Sequence, residues 1–163
     1  PFSGLLYAGL ALTSRGLRVI EFNARFGDPE TQVVLARLRT PLAALLYAAA
    51  TGALHHVGEL EWSNEAAVTV VIASENYPDQ PVLGDVVSGI EQANALAGVQ
   101  VLHAGTAQNG EQIVSAGGRV LSITAVGEDI AQARQRAYAG VSQIQLRGSH
   151  YRSDIALAAE RIG

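Results

Sequence analysis

The sequence predicts an α+β protein built as two units. Residues 1–62 carry two strand-like segments followed by two helix starts, and residues 63–163 carry several short strand-like segments with one main helix. A polar stretch, "HHVGELEWSNE", separates them and reads as a connector. Strands and helices that are grouped in this way, and do not alternate, are typical of α+β folds.

The composition narrows the class of protein. The 163 residues are 48% apolar and 16% charged, which is typical of a globular protein and argues against a disordered one. The formal net charge of −4 argues against a nucleic-acid partner held through its phosphates. No apolar run approaches the roughly 20 residues of a membrane span. The absence of cysteine excludes thiol catalysis and leads us to expect a cytoplasmic location.

The first unit is predicted to open with a hairpin. Leu5–Leu12 and Leu17–Asn23 are apolar and strand-like, and "SRG" between them supplies turn residues. Asp28 is then the expected N-cap of a helix whose first turn holds Pro29 and Glu30.

A second helix is predicted to start at Thr40-Pro41 and to end near Gly52. Its leucine and alanine stripe, Leu42–Leu54, is interpreted as core.

The second unit is predicted from β-branched runs and turn dipeptides. Asn109-Gly110 is a strong hairpin signal, and Gly117-Gly118 marks the next turn, so the flanking segments are expected to form a three-stranded meander. A helix is predicted where apolar residues recur at helical spacing. The expected elements are a strand at 67–74, a loop at 75–85, strands at 99–108, 111–115 and 119–127, and a helix at 128–143.

The end of the second strand concentrates polar side chains in "VIEFNARFGDPETQ", Val19–Gln32. Strict alternation would put Leu17, Val19, Glu21 and Asn23 on one face, with Ile20 and Phe22 on the other. A carboxylate and an amide oxygen two residues apart can bind one Mg²⁺ ion. Arg25 would follow on the same side if the strand continued, and could form a two-point contact with phosphate or carboxylate.

From this pattern alone two interpretations remain open. The polar residues could form a ligand site, because ligands gather where strands end. They could equally be a solvated strand edge, a turn and a helix start. Arg152 and Asp154 leave a similar choice between the border of a site and a surface ion pair.

The same stretch resembles the signature of phosphoribosylamine–glycine ligases, which are ATP-grasp enzymes of purine biosynthesis. "GLLYAGLAL" before it and "LHAGT", "SAGGRVLSITAVG", "ARQRAYAGV" and "YRSDIA" after it agree in order. The resemblance implies the C-terminal part of an ATP-grasp domain at 1–62, with antiparallel strands and two helices. It implies the family's small C-terminal domain at 63–163. The start without methionine leads us to expect a fragment whose N-terminal part is missing.

The resemblance also implies an activity. Glycine would be joined to 5-phosphoribosylamine through a glycyl phosphate, with ATP as substrate and Mg²⁺ or Mn²⁺ as cofactor. Glu21 and Asn23 match the family's metal ligands, and Arg25 matches a catalytic and substrate-binding arginine. Gly27, Asp28 and Glu30 match the segment that approaches the amine substrate. The isolated chain is expected to be inactive.

Two other functions are weighed against this one. A free-standing, non-catalytic binding or assembly module could use the same scaffold, although the abrupt start disfavours it. Another ATP-grasp ligase or carboxylase with different substrates is disfavoured by "RFGDPETQ".

Overall fold

The computed structural model describes residues 2–160 and forms two compact units, Pro1–Ser63 and Asn64–Gly163. Each unit is described by itself. The predicted division into 1–62 and 63–163 includes Pro1 and residues 161–163, which lie outside the described residues. Among the described residues, no helix is both long and apolar enough to cross a membrane.

The first unit begins with the predicted hairpin. Strand β1, Tyr7–Thr13, pairs antiparallel with β2, Gly16–Asn23. The Thr13 hydroxyl closes the turn, because its Oγ1 accepts from the Arg15 amide at 3.2 Å and donates to the Gly16 carbonyl at 2.8 Å. Gly16 takes the φ of +87° that this turn needs. The predicted strands are confirmed, with β1 starting two residues later than expected.

A β-bulge corrects the predicted faces of β2. Gly9 pairs with Glu21 and Leu10 pairs with Val19, so Ile20 is an extra residue without a partner in the ladder. Cross-strand partners share a face, and neighbours along a strand do not. Glu21 and Asn23 therefore share a face, as predicted, but Leu17 and Val19 lie on the opposite one. The bulge gathers the apolar side chains on a single face: Ala8, Leu10, Leu12, Leu17, Val19 and Phe22.

Helix α1, Glu30–Arg37, starts differently from the prediction. Pro29 occupies the N-cap position and no side chain caps the helix, so the assignment of Asp28 as N-cap is wrong. With the helix starting at Glu30, Asp28 lies one residue too early to cap it. Its Oδ1 instead accepts from the side-chain amide of Gln32 at 2.7 Å.

Helix α2, Leu42–Ala50, starts after Pro41 and is followed by a short 3-10 turn, Leu54–His56. The interpretation of this stripe as core is wrong within the described residues. Ala48 is buried, whereas Tyr47 is 72% exposed. The helix is apolar on nearly all sides, and its main packing partner in the unit is that short turn, which is too small to cover it.

The connector ends against helix α1. The Ser63 amide donates to the Arg37 carbonyl at 2.7 Å, and the Arg37 guanidinium donates to the Ser63 carbonyl at 3.1 Å. Leu38 and Trp62 form an isolated β-bridge beside them. These bonds close the first unit.

The second unit is built on a three-stranded antiparallel sheet in the order β3-β7-β4. These strands are β3, Ala66–Ala73, β4, Val99–His103, and β7, Arg119–Gly127. β7 is the central strand and is buried on both faces along most of its length. Thr69 and Thr124 face each other across the β3–β7 pair, with their hydroxyls 2.8 Å apart.

The predicted meander is wrong. The expected strand at 99–108 breaks after His103, and the hairpin β5, Thr106–Asn109, and β6, Gln112–Ser115, forms a separate two-stranded sheet. Its two-residue turn is Gly110-Glu111, one position later than predicted. At the break the Gly105 amide still donates to the Arg119 carbonyl at 2.8 Å, and a Cβ on Gly105 would lie 2.7 Å from that oxygen. The next residue, Thr106, begins the separate β5–β6 hairpin.

Helix α4, Ile130–Val141, packs on the sheet and confirms the predicted helix. Asp129 caps it by accepting from the Gln132 amide at 2.7 Å. Small residues let the helix approach closely, since a Cβ on Gly140 would lie 2.7 Å from Ile123. The core between helix and sheet consists chiefly of Val68, Val70, Ile72, Val99, Val101, Val120, Leu121, Ile123, Ala125, Ala133, Ala137 and Val141.

Two short helices were not predicted. They are α3, Ile90–Asn94, and α5, Leu157–Glu160. Five and four residues are too few to show helical periodicity in a sequence.

Arg147 anchors the predicted loop, which is confirmed over 75–85. Its guanidinium donates to both carboxylate oxygens of Asp85, at 2.9 and 3.0 Å, and to Glu75 at 2.9 Å. The hydrogen bond and the charge of Asp85, followed by the charge of Glu75, raise the pKa of Arg147. The two ends of the loop are thus held by one side chain.

Replacing Gly89 with alanine is expected to destabilise this chain more than replacing Gly84. Both glycines have positive φ, +84° and +87°, so alanine meets about 1–2 kcal/mol of backbone strain at each. At Gly89 the new Cβ would also collide with the backbone carbonyl of Gln143, whereas at Gly84 it meets open space. The collision adds about 1–3 kcal/mol. Urea unfolding of both variants measures the difference, and equal losses would contradict this packing.

Candidate metal and substrate site

The polar face of the first hairpin ends at Glu21 and Asn23. Their partners across the ladder are Gly9 and Tyr7, respectively. A Cβ on Gly9 would lie 3.2 Å from Cγ of Glu21, so the glycine leaves room for the glutamate side chain. Glu21 is exposed and Asn23 is half-buried. The two oxygen-bearing side chains thus project together from one strand end.

The side-chain amide of Asn23 has an unsatisfied nitrogen. Among the described residues its Nδ2 is buried and has no hydrogen-bond partner. Of the two amide atoms only the oxygen can ligate a cation, because an N–H group cannot.

Glu21 and Asn23 would fill only part of the coordination shell of a hard cation. Within residues 2–160 no group of three or more His, Cys, Asp or Glu residues could hold a metal ion. Glu21 and Asn23 would supply two oxygens, which fits Mg²⁺ because it usually keeps waters and takes substrate phosphates as further ligands. The donor set therefore suits a cation that shares its coordination with a bound anion.

Arg25 lies outside the strand. β2 ends at Asn23, so the strand does not continue to carry Arg25 on the face of Glu21. Its Nη1 donates to the neighbouring Phe26 carbonyl at 2.9 Å, and the side chain is exposed. A guanidinium carries five N–H donors, so the group retains donors for an anion.

Gly27 and Glu30 are packed against Tyr7. A Cβ on Gly27 would lie 2.7 Å from Oε2 of Glu30 and 2.8 Å from the Tyr7 ring. The Tyr7 hydroxyl donates to Oε1 of Glu30 at 3.2 Å. The Gly27 carbonyl accepts from the Thr31 amide at 3.1 Å, which ties the segment to the start of α1. A larger residue at position 27 would displace the Tyr7 ring and the Glu30 carboxylate.

The charges around Tyr7 show which predicted residues come together. The pKa of Tyr7 is raised, first by burial, then by the hydrogen bond and negative charge of Glu30 and by the charge of Glu21. Arg25 acts in the opposite direction. Glu21, Arg25 and Glu30 therefore act on one phenol, whereas Asp28 is turned to Gln32.

Sequence reasoning missed Tyr7. It stands far from the signature in the chain and meets Asn23 only through the β1–β2 register. The turn at Ser14-Arg15 was a usable signal, since counting back from it pairs "YAG" with the strand end. The bulge at Ile20 changes that count by one.

Arg152 and Asp154 form an exposed ion pair in the second unit. The guanidinium makes two parallel bonds, Nε to Oδ1 at 2.9 Å and Nη2 to Oδ2 at 2.7 Å. The Arg152 hydrogen bond lowers the pKa of Asp154. The sequence left open whether these residues border a site or form a surface ion pair, and the structure shows the ion pair.

Comparison with known sequences identifies the class of protein. Residues 1–31 match the model described as "Phosphoribosylglycinamide synthetase, ATP-grasp (A) domain", and residues 67–158 match "Phosphoribosylglycinamide synthetase, C domain". The class is thus that of the ATP-grasp enzymes. The chain belongs to the phosphoribosylglycinamide synthetase family, and its α+β fold is consistent with the C-terminal part of such an enzyme.

Curated relatives support this membership. The chain is 64% identical to a phosphoribosylamine–glycine ligase of Streptomyces coelicolor, with 98% of this chain and 39% of the relative covered. It is 56% identical to that of Mycobacterium leprae, with 99% and 37% covered. The chain therefore spans about two fifths of the length of these relatives.

Solved structures agree. The phosphoribosylamine–glycine ligase of Thermotoga maritima matches with a TM-score of 0.75 at 30% identity, over 91% of this chain and 36% of that one. The N5-carboxyaminoimidazole ribonucleotide synthetase of the same organism matches with a TM-score of 0.63 at 18% identity, over 88% and 37%, and shares the fold alone.

Replacing Glu30 with glutamine is expected to lower the pKa of Tyr7 toward its ordinary value. The neutral amide removes the charge that opposes phenolate formation, while burial of the ring continues to raise the pKa. Tyrosine ring ¹³C shifts followed against pH report the change. Glu59→Gln, which removes a carboxylate that does not act on Tyr7, is the control and should leave the titration where it was. An unmoved Tyr7 in Glu30→Gln would contradict the contact.

Proposed function

We propose that this chain is the C-terminal part of an ATP-dependent ligase that joins glycine to 5-phosphoribosylamine. The products are glycinamide ribonucleotide, ADP and phosphate, in de novo purine biosynthesis, and the enzyme acts in the cytoplasm. The names of the curated relatives and the match to an ATP-grasp domain support this. The observation that carries the proposal is that Glu21 and Asn23 lie on the same face at the end of strand β2.

The two units take different parts in this proposal. Residues 1–62 would form the end of the ATP-grasp domain and carry the metal and phosphate site. Residues 63–163 would form the small C-terminal domain. The remaining part of the nucleotide site would lie in the N-terminal part of the longer enzyme, so the isolated chain would be inactive.

The proposed reaction has two steps. A glycine carboxylate oxygen attacks the γ-phosphorus of ATP, and ADP leaves. The amine nitrogen of 5-phosphoribosylamine then attacks the carbonyl carbon of glycyl phosphate, inorganic phosphate leaves, and the new amide nitrogen loses a proton. Activation is needed because a free carboxylate is a poor acyl donor. Most of the protein's task is then positioning and charge neutralisation.

Glu21 and Asn23 would hold the divalent ion, Mg²⁺ or Mn²⁺, against the ATP phosphates. Such an ion, when bound, neutralises charge on the phosphates and orients them. The Glu21 side chain is exposed, and its stem packs beside Gly9, where a Cβ would lie 3.2 Å from Cγ.

Arg25 would act as a catalytic and substrate-binding residue. Its exposed guanidinium could bind the transferred phosphoryl group or the glycine carboxylate through two parallel hydrogen bonds. Its bond to the Phe26 carbonyl holds one nitrogen in place and leaves the remaining donors for the anion.

Gly27, Asp28 and Glu30 would form the segment that meets the amine substrate. Gly27 permits the close packing of this segment, and Glu30 presents a carboxylate that can accept an N–H or O–H bond. Asp28 does not cap the helix, and its Oδ1 accepts from Gln32. In this proposal it would meet the substrate while that bond is kept.

Replacing Glu21 with alanine in the intact enzyme is expected to abolish metal-dependent ATP turnover without unfolding the protein. The loss should be at least about 100-fold, since one of two protein ligands to the charge-neutralising ion is removed. ADP release at varied Mg²⁺ measures it. Glu111→Ala, at the exposed tip of the β5–β6 hairpin, makes the same chemical change elsewhere and should retain full activity. Unchanged turnover in Glu21→Ala would remove the metal assignment.

ATP turnover by the intact enzyme is expected to require glycine and 5-phosphoribosylamine together. Bicarbonate in place of glycine should give no product above background, because the proposed reaction forms an amide from the carboxylate of glycine. Mass analysis of the product checks this. A carboxylated product would assign the chain to an ATP-grasp enzyme of a different reaction.

A further inference from the structure

Tyr7 is a polar residue at the centre of the candidate site that the reaction scheme above leaves unused. It opens strand β1 opposite Asn23 and is half-buried. Its ring lies against Gly27, and its hydroxyl reaches the Glu30 carboxylate. The residue therefore touches the strand that carries the metal ligands and the segment that carries the substrate groups.

The contact at Gly27 is closely packed. Gly27 is buried, and added Cβ atoms there would meet both the Tyr7 ring and the Glu30 carboxylate below 3 Å. The three groups thus set each other's positions. Displacing the ring would remove the packing on one side of Gly27 and the hydrogen bond to the carboxylate together.

The hydrogen bond to Glu30 has no substitute nearby. Within residues 2–160, no other side-chain hydrogen bond reaches the Glu30 carboxylate. Glu30 itself is exposed, and a long exposed side chain without a partner samples several rotamers. A phenol that donates to Oε1 selects one of them and leaves Oε2 for another donor.

We propose that Tyr7 is a positioning residue that holds Glu30 and Gly27 at a fixed distance from the Glu21–Asn23 strand end, so that Oε2 of Glu30 accepts a hydrogen bond from the amine substrate. This inference rests on the proposed function. Tyr7 itself does not touch the reacting atoms. It acts through the carboxylate it holds, which belongs to the amine half of the reaction and not to the ATP half.

Tyr7→Phe in the intact enzyme isolates the hydroxyl, because the ring and its packing on Gly27 remain. The KM for 5-phosphoribosylamine should rise roughly three- to tenfold, the effect of one hydrogen bond of ordinary net strength. The KM for ATP, the Mg²⁺ dependence and the melting temperature should hardly change. Tyr47→Phe makes the same change on an exposed tyrosine of α2 and should alter none of these values. An unchanged KM for the amine in Tyr7→Phe, or equal changes for amine and ATP, overturns the inference.

A double-variant cycle tests whether Tyr7 acts through Glu30. Glu30→Ala alone should raise the KM for the amine, and adding Tyr7→Phe should change it by less than about twofold, because the acceptor is already gone. Losses that multiply in the double variant overturn the proposed route. If Tyr7→Phe lowers the melting temperature and leaves the KM for the amine unchanged, the contact is only structural and the inference is likewise overturned.

The Glu21→Ala variant separates this inference from the proposed function. If Glu21→Ala loses metal-dependent turnover while Tyr7→Phe behaves like Tyr47→Phe, the inference about Tyr7 fails and the ligase assignment stands. If Glu21→Ala keeps full turnover, the metal assignment fails, and the inference about Tyr7, which rests on that site, fails with it whatever Tyr7→Phe does.

Discussion

The unpaired Ile20 in the β1–β2 ladder is the feature on which the candidate site depends. Without it, strict alternation would place Glu21 in the same row as Val19, among apolar side chains. The extra residue moves everything beyond it to the other face, because a slip of one position exchanges the faces of a strand. The carboxylate then stands beside Gly9, where there is room for it. A local irregularity of the backbone thus separates the apolar and polar surfaces of the hairpin.

Most of the elements could be predicted because they depend on local signals. The β-branched run of β3 and the capped start of α4 each carry their own evidence in the sequence. Strand order could not be predicted in the same way. β7 is central because it pairs with β3 on one side and β4 on the other, and the chain after β4 turns into a separate hairpin instead of pairing on with β7. Both are relations between distant segments.

The candidate site was predictable to the extent that it is continuous in the chain. Glu21, Asn23 and Arg25 follow each other within five residues, and their chemistry is visible from spacing. The role of Asp28 was misjudged because a helix start one residue later removes it from the cap. Tyr7 escaped notice because its contact with Glu30 exists only after the hairpin has folded. The register that brings residues of two strands together cannot be read from a short stretch of sequence.

The Arg147 anchor has a consequence for the loop it holds. Its bonds to Asp85 and Glu75 are charge-assisted and lie at the surface, where the arginine side chain is 63% exposed. Dissolved ions screen such contacts over about 10 Å at 0.1 M and about 3 Å at 1 M. The loop is also held by backbone hydrogen bonds, from the Val82 amide to the Glu75 carbonyl at 2.9 Å and from the Gly84 amide to the Ser115 carbonyl at 2.7 Å. Concentrated salt should therefore weaken the contacts of Arg147 while these backbone bonds keep the path of the loop.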